Sequence, residues 1–465
     1  MIELRQYQVD MIDRTRAALK RVRAVAMVAA TGSGKTSIAS RMLKTCSDKG
    51  HGAWFLCHRR ELITQSAITF AKAGVDHGIV AAGFDGDRKR LVQICSVQTL
   101  ARRWHTLAKP KLIIWDECHH CAASTYDTIY KQFPDAVHIG LTASPVRLDG
   151  TGLGAWFQEI IEGPPVRSLI DEGYLSDYRL FAPKTMDTQG VHTRYGDFVK
   201  SELNKIADKP KITGDAISHY KKYAAGKRAL IFAVSIEHSQ HVVQQFNDAG
   251  IKAEHVDGTT QSGERDAIFR RFTSGETLAL SNVEIASEGV DIPAVEAAIL
   301  LRPTQSLGMY LQQVGRALRP APGKLHAIIL DHAGNAFRHG LPDDVREWSL
   351  LGTQRNVASK DPDDIKVKQC PICYATVASY KSECRHCGHK FVPVGREIET
   401  VDGELSEVDV IQARIAARRE QASAETLDDL IRIGRLRGYK SPEKWAGFIF
   451  TARLVKQKQK QKAAA

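Results

Sequence analysis

The first third of the chain alternates short apolar runs with amphipathic stretches of helical spacing. Each apolar run has the length of a buried strand, and each following stretch has the length of a helix. The runs are Val25–Ala29, Ala53–Cys57, Leu91–Ser96, Leu112–Trp115 and Ala136–Leu141. Such alternation predicts a parallel sheet with helices on both faces, and ligands at the carboxyl ends of its strands.

The first of these strands leads into a glycine-rich turn with a lysine. The turn and the start of the next helix read Ala29-Ala30-Thr31-Gly32-Ser33-Gly34-Lys35-Thr36. Gly32 and Gly34 allow the backbone to curl so that its N–H groups face phosphate oxygens, while Lys35 reaches the β- and γ-phosphates and Thr36 holds Mg²⁺. Ala29 stands where the strict motif has glycine, a position that only has to be small. The turn therefore predicts binding of a nucleoside triphosphate.

A pair of acids, Asp116 and Glu117, follows another apolar strand. This placement fits the second half of a nucleotide site, with Asp116 in the Mg²⁺ shell and Glu117 orienting and deprotonating the attacking water. The neighbouring cluster Cys118-His119-His120-Cys121 suggests metal binding as an alternative. We favour the first interpretation, because side chains at a strand end cannot all converge on one ion.

Composition limits the class of protein and its partners. The 465 residues allow about three domains, and no apolar stretch approaches the ~20 residues of a membrane span. The N-terminus lacks the apolar core of a secretory signal, so we expect a cytoplasmic protein that binds no membrane. A net charge of +12 suggests a polyanionic partner, although a basic surface without a partner is an open alternative. Arg59, Arg60 and Thr99 follow two of the strands and are placed to contact phosphates of a nucleic-acid strand.

Four of the nine cysteines form two Cys-x-x-Cys pairs, Cys370 with Cys373 and Cys384 with Cys387, separated by ten residues. Four thiolates at this spacing predict a closed, structural Zn²⁺ site. A redox pair is the alternative, but each pair has the Pro or Gly of a zinc knuckle. His386 and His389 are bystanders, because four cysteines already saturate the metal.

Taken in order, the motifs resemble those of superfamily 2 helicases in their DEAD/DEAH-like branch, most closely the phage and bacterial XPB-like and branch-migration helicases and restriction-enzyme motor subunits. The resemblance covers residues 4–320. It rests on the phosphate loop, Asp116-Glu117-Cys118-His119, Leu141-Thr142-Ala143-Ser144-Pro145, Ser281-Asn282-Val283, Glu288-Gly289-Val290-Asp291-Ile292-Pro293 and Gln312-Gln313-Val314-Gly315-Arg316-Ala317-Leu318-Arg319.

The resemblance implies a role for residues that the pattern alone leaves ambiguous. Arg5 and Gln8 match the residues that recognise adenine, and Arg316 and Arg319 match arginines that reach the γ-phosphate from a second lobe. The resemblance also implies that Gln312 helps to form the closed site. His119, Thr142 and Ser144 match residues that couple the state of ATP to nucleic-acid binding. Gly289 and Asp291 match residues that respond to both the nucleotide and the nucleic-acid strand.

The expected fold is α/β, with two tandem RecA-like parallel-sheet domains followed by a small four-cysteine zinc module and a basic helical tail. The predicted bounds are 1–165 for the first domain, 166–212 for a connection, 213–355 for the second domain, 366–393 for the zinc module and 404–465 for the tail. The tail either contacts nucleic acid or packs as a solvated appendage.

We expect an ATP-dependent helicase or translocase that acts on DNA rather than RNA, with ATP, Mg²⁺ and Zn²⁺ bound. The alternatives are a duplex translocase that remodels branched DNA and an ATP-gated binding or annealing protein.

Overall fold

The computed structural model describes residues 3–120, 124–147, 150–182, 188, 190–194, 196–207, 210–283, 295–352, 367–391 and 420–451, the last range with gaps at 422, 425, 438–440, 444 and 448. The chain divides into two compact units, Met1–Val392 and Pro393–Ala465. No helix in the described ranges is long and apolar enough to cross a bilayer.

Seven strands form the first sheet of the larger unit. They are β1 (Ala24–Val28), β2 (Gly52–Cys57), β3 (His77–Val80), β4 (Val92–Ser96), β5 (Pro110–Asp116), β6 (Val137–Thr142) and β7 (Glu159–Glu162). Their order is β3-β4-β2-β5-β6-β1-β7, and every neighbouring pair is parallel. The helices of this lobe are α1 (Gln6–Ala18), α2 (Lys35–Ser47), α3 (Arg60–Lys72), α4 (Val97–Arg103) and α5 (Ser124–Gln132).

Both faces of this sheet are buried, which explains the uninterrupted apolar runs. Neighbouring residues of one strand point to opposite faces, so Trp54 and Trp115 lie in one core cluster and Phe55 and Ile114 in the other. A strand covered by helices on both faces needs apolar residues at every position. The sequence pattern therefore indicates the layered architecture directly.

A second, six-stranded parallel sheet follows. The helices that precede it or cover it are α6 (Val166–Asp171), α7 (Lys200–Ala207), α8 (Pro210–Tyr223), α9 (Ile236–Asp248), α10 (Ser262–Ser274), α11 (Leu307–Ala317) and α12 (Asn335–His339). The strands are β8 (Tyr178–Phe181), β11 (Ala229–Phe232), β12 (Ala253–Val256), β13 (Ala279–Asn282), β14 (Ala297–Leu300) and β15 (Ala327–Asp331), in the order β12-β13-β11-β14-β15-β8. A two-stranded antiparallel hairpin, β9 (Thr193–Arg194) and β10 (Asp197–Phe198), lies between β8 and β11 in the chain. The predicted fold of two tandem parallel-sheet domains is confirmed.

One boundary differs from the prediction. Strand β8 lies within the connection predicted over 166–212, but it pairs in parallel with β15 and forms the edge of the second sheet. Its apolar side chains explain the difference, because Tyr178 and Leu180 are fully buried in the core of that lobe. The second lobe thus begins well before residue 213.

The segment that carries the four cysteines contains a short antiparallel pair, β16 (Val367–Gln369) and β17 (Thr376–Ala378). In the smaller unit, helix α13 (Leu427–Leu436) begins with a capping box between Thr426 and Asp429. Its apolar face packs with Ala446 and Trp445. Most of the predicted basic tail lies outside the described residues.

Candidate functional site

The phosphate loop joins β1 to α2 and has the curled backbone that its glycines permit. Gly32 and Gly34 have φ of 86° and 83°, in the left-handed region that a side chain disfavours. Helix α2 begins at Lys35, directly after Gly34. The Lys35 ammonium donates a hydrogen bond to the carbonyl of Ala29, with Nζ and O 3.2 Å apart, which holds its charge over the loop. The loop thus presents a helix N-terminus and a cation to a phosphate.

Helix α1 supports the phosphate loop through side chains that hydrogen-bond to the carbonyl of Ser33. The Gln8 amide donates to the carbonyl of Ser33 at 2.9 Å and accepts from the backbone N–H of Arg5 at 3.0 Å. The Tyr7 hydroxyl donates to the same carbonyl, and the Arg5 guanidinium lies 4.6 Å from the ring centroid of Tyr174. Both amide atoms of Gln8 are therefore engaged within the protein. Recognition of adenine by Arg5 and Gln8 stays a prediction.

The paired acids stand at the end of β5, facing the loop. Asp116 is buried, and burial together with the charge of Glu117 raises its pKa to about 7, against the opposing effect of Lys35. Glu117 has a left-handed backbone with φ of 47°, and its buried Oε2 has no hydrogen-bond partner within the described residues. A cation stabilises the charged form of a buried carboxylate, so Asp116, together with the Thr36 hydroxyl group at the same cavity, fits a Mg²⁺ site.

His119 links the acids to the end of the neighbouring strand β6. Its Nδ1 lies 3.5 Å from Glu117 Oε2 and 3.1 Å from the hydroxyl of Thr142. That hydroxyl in turn donates to the carbonyl of Ser144 at 2.6 Å. The three residues predicted to couple nucleotide state to nucleic acid therefore form one chain of polar contacts that starts at Glu117.

Helix α11 of the second lobe packs directly on the phosphate loop. A β-carbon on Gly315 would lie only 2.4 Å from Cβ of Thr31, so this contact requires glycine. Just after the helix, the Arg319 side chain lies against Gly32, and near the helix start Gly308 lies against the hydroxyl of Ser144. Helix α11 and the residues that follow it therefore contact both the phosphate loop and Ser144, one of the predicted coupling residues.

The two lobes together line one cavity of about 260 Å³. Its walls include seven predicted residues of the first lobe and two of the second. They are Thr31, Gly32, Gly34, Lys35, Thr36, Asp116 and Glu117, and the arginines Arg316 and Arg319. Gln312 is buried in α11 and does not line it.

Helix α3 supplies a wall that the sequence patterns did not predict. Leu62, Gln65, Ser66 and Thr69 line the same cavity. Their spacing of i, i+3, i+4 and i+7 places them on one helical face. Three of the four are polar, and this polar face on a helix that directly follows strand β2 could have indicated them. Lys324 was also missed, although it lies close behind the arginines in sequence; its Nζ is 2.8 Å from the carbonyl of Arg319.

Other predicted residues lie elsewhere. Arg59 precedes α3, and Arg60 lies with its guanidinium 5.0 Å from the ring centroid of Phe84, outside the cavity. Thr99 is half-buried in α4. Gly289 and Asp291 lie outside the described residues, so their role stays a prediction.

The four cysteines of the predicted zinc site converge. Their sulfur atoms all lie within 4.8 Å of one another, with Cys370 and Cys387 3.6 Å apart and Cys373 and Cys384 3.7 Å apart. Tetrahedral Zn–S bonds of ~2.3 Å place sulfurs ~3.8 Å apart, so the cluster is compatible with zinc.

Comparisons with known proteins identify the class. Residues 1–147 match the family model of the type III restriction enzyme res subunit, and residues 208–321 match the helicase conserved C-terminal domain. A 51.5 kDa protein of a Lactococcus phage is 36% identical over 77% of this chain and 76% of its own length. The chain belongs to the superfamily 2 helicases, which hydrolyse ATP.

Other relatives and one solved structure are more distantly similar to this chain. IRC3 of Saccharomyces cerevisiae is 31% identical over 71% of this chain, which spans only 51% of that protein. The DNA 3'-5' translocase XPB2 of Sulfurisphaera tokodaii is 28% identical over 68% of this chain and 79% of its own length. The DNA-bound Type ISP restriction-modification enzyme LlaBIII has a TM-score of 0.52 at 16% identity, covering 71% of this chain and 28% of that one.

Proposed function

We propose that this protein is an ATP-driven motor that moves along DNA or unwinds it, with ATP hydrolysed between the two lobes. The observation that carries the proposal is the shared cavity, in which the phosphate loop, Asp116 and Glu117 face Arg316 and Arg319. Neither lobe alone has all of these groups. Hydrolysis thus depends on the arrangement of the lobes, which is what a motor needs.

Each group has a role that follows from its chemistry. Lys35 and the loop amides bind the β- and γ-phosphates. Glu117, whose buried Oε2 lacks a hydrogen-bond partner among the described residues, orients and deprotonates water. Arg316 and Arg319 stabilise the charge that develops as the phosphoryl group leaves. Thr36 and Asp116 would hold Mg²⁺, which neutralises phosphate charge when bound.

ATP hydrolysis is coupled to nucleic-acid binding through the chain of polar contacts that leads from Glu117 through His119 to Thr142 and Ser144. Ser144 lies against Gly308 at the start of α11, so a change at the γ-phosphate reaches the contact between the lobes. Opening and closing of that contact would advance the strand by a short step in each cycle.

DNA is the proposed nucleic-acid substrate along which the motor moves. The relative XPB2 supports this choice, because its name describes a DNA translocase. The net charge of +12 suits a polyanion. Arg59, Arg60 and Thr99 are proposed phosphate contacts, and the four cysteines are proposed to hold Zn²⁺, which would stabilise the knuckles.

ATPase stimulation tests the proposal. Turnover is measured without nucleic acid and with single-stranded DNA, duplex DNA, forked DNA and RNA, using Glu117→Gln as the inactive control. We expect DNA to stimulate the wild type most, whereas a rate that no nucleic acid changes would overturn the motor proposal. Strand-displacement and triplex-displacement assays then separate unwinding from duplex translocation and from ATP-gated annealing.

A further inference from the structure

The two proposed zinc knuckles share one backbone geometry but differ in the residue that follows the second cysteine, which is Tyr374 in the first and Gly388 in the second. After Cys-x-x-Cys, the N–H of Tyr374 donates to the carbonyl of Cys370 at 2.9 Å, and the N–H of Gly388 donates to that of Cys384 at 2.8 Å. Both residues are left-handed, with φ of 59° and 73°. Glycine adopts this conformation freely, whereas tyrosine does so at a cost in free energy. The first knuckle therefore retains a strained residue where the second has the relaxed one.

Packing does not explain the tyrosine. Tyr374 is 48% exposed, and Tyr380, beyond the other end of β17, is 77% exposed. Among the phenylalanine, tyrosine and tryptophan residues that the structure describes, only these two are exposed. Both lie in the module of residues 367–391. Strain retained for a side chain that the core does not use indicates a function at the surface.

Lysine ammonium groups accompany both rings. Lys222 Nζ lies 5.1 Å from the ring centroid of Tyr374, and Lys381 Nζ lies 5.3 Å from that of Tyr380. Glu383 is the one carboxylate between residues 367 and 391. Four thiolates with Zn²⁺ would carry net negative charge, which offsets part of this basic character. We therefore expect stacking to contribute most of the affinity, and the two lysines to give a salt dependence that corresponds to about two phosphate contacts.

The module is fixed to the second lobe, so this surface moves with it. The N–H of Ala182, next to β8, donates to the hydroxyl of Thr376 at 3.1 Å. The Arg385 guanidinium lies 4.6 Å from the ring centroid of Tyr178 and donates to Asp343 at 3.1 Å. A strand held by the tyrosines would follow each movement of the lobe that carries the catalytic arginines.

We propose that Tyr374 and Tyr380 stack on bases of single-stranded nucleic acid while Lys222 and Lys381 contact its phosphates. Exposed rings with adjacent ammonium groups are the pattern by which single strands are bound without sequence preference. The proposal rests on the proposed function only in taking nucleic acid as the partner. It adds a binding site on the zinc module.

Tyr374→Gly tests it sharply, because this change removes the ring and also relieves the backbone. Binding of a fluorescent single-stranded oligonucleotide is measured by anisotropy across a salt series, with Tm and zinc content measured in parallel. We expect affinity to fall about 5- to 100-fold, the range for loss of one stacked base, while Tm stays or rises and zinc is retained. Tyr374→Phe should keep the affinity, and Leu325→Ala, at an exposed apolar residue of the same lobe, serves as control.

Wild-type affinity in Tyr374→Gly and in the double variant with Tyr380→Ala would overturn the proposal. A loss of affinity confined to duplex, or equal losses in Leu325→Ala, would overturn it too. Tyr374-dependent oligonucleotide binding by a wild-type protein whose ATPase no nucleic acid stimulates would instead overturn only the proposed function.

Discussion

The ammonium group of Lys324 donates a hydrogen bond to the backbone carbonyl of Arg319, with Nζ and O 2.8 Å apart. It also donates to the carbonyls of Ala317, the last residue of α11, and of Val295, in the segment that leads into β14. Carbonyls at a helix C-terminus lack partners within the helix, and a cation there satisfies them. Lys324 thus fixes the backbone from which Arg316 and Arg319 extend into the nucleotide cavity.

Replacing Lys324 by methionine should slow turnover without much loss of ATP affinity. Arg319 then loses its backbone anchor, and a displacement of about 1 Å at a catalytic group can cost ~100-fold in rate. We expect kcat to fall about 10- to 100-fold and the Kd for ATP to change less than about 3-fold. Steady-state kinetics and nucleotide titration measure the two, with Lys252→Met, at an exposed lysine, as control. An unchanged kcat would show that Lys324 does not position the arginines.

Alkaline pH should weaken the same anchor. Burial lowers the pKa of Lys324 to about 8. Above that pH the neutral amine has two N–H donors for three carbonyls, so turnover should decline as pH rises through about 8. Lys324→Arg keeps its charge and should lose the decline, which a kcat–pH profile of both proteins measures. Identical profiles would contradict this role.

Arg319→Ala should spare nucleotide binding and abolish turnover. The Arg319 side chain lies against Gly32 and lines the cavity from the second lobe, where it is proposed to meet the transferring phosphoryl group. Arginines in this role contribute about 10³-fold or more to the rate. ATP binding is followed with a fluorescent analogue, and hydrolysis by phosphate release, with Arg270→Ala, at an exposed arginine of α10, as control. Normal ATP hydrolysis by Arg319→Ala would contradict the proposal that both lobes contribute to the site of hydrolysis.

The sequence predicts local features of this site better than contacts between distant segments. Runs such as Ala53–Cys57 indicate buried strands because both faces of the sheet are covered. The placement of Lys35 and Asp116 beside the cavity follows from motifs that span only a few consecutive residues. No comparable pattern indicates that β8 joins the second sheet, because its partner β15 lies far along the chain. The support of Arg319 by Lys324 depends likewise on how the chain turns after α11.

Acid should destabilise the first lobe through His138. Burial lowers the pKa of this histidine from 6.5 to about 4. The neutral ring is well satisfied, because its Nδ1 accepts from Trp115 Nε1 at 3.1 Å and its Nε2 donates to the carbonyl of Phe133 at 2.9 Å. The unfolded chain takes up the proton near pH 6.5 and the folded chain only near 4. Stability is therefore fully present above about 6.5 and is lost as pH falls towards 4, by on the order of 3 kcal/mol.

Urea unfolding at several pH values measures this dependence. His138→Gln keeps a donor and an acceptor but does not titrate, so its stability should fall less steeply between about pH 6.5 and 4. His51→Gln, at an exposed histidine, should behave as the wild type. Equal slopes for His138→Gln and the wild type would exclude His138 as the source.

Removing the Zn²⁺ that the four cysteines are proposed to hold should destabilise the second lobe as well as the module. Cys373 and Ala375 pack in the core cluster of that lobe, and Thr376 accepts the hydrogen bond from Ala182 beside its edge strand β8. Losing the knuckles would expose this edge, so we expect chelation or Cys373→Ser to lower Tm by about 5 °C or more. Calorimetry with metal analysis measures this, with Cys46→Ser, at a half-buried cysteine outside the cluster, as control. An unchanged Tm in the chelated protein would show that the stability of the second lobe does not depend on the module.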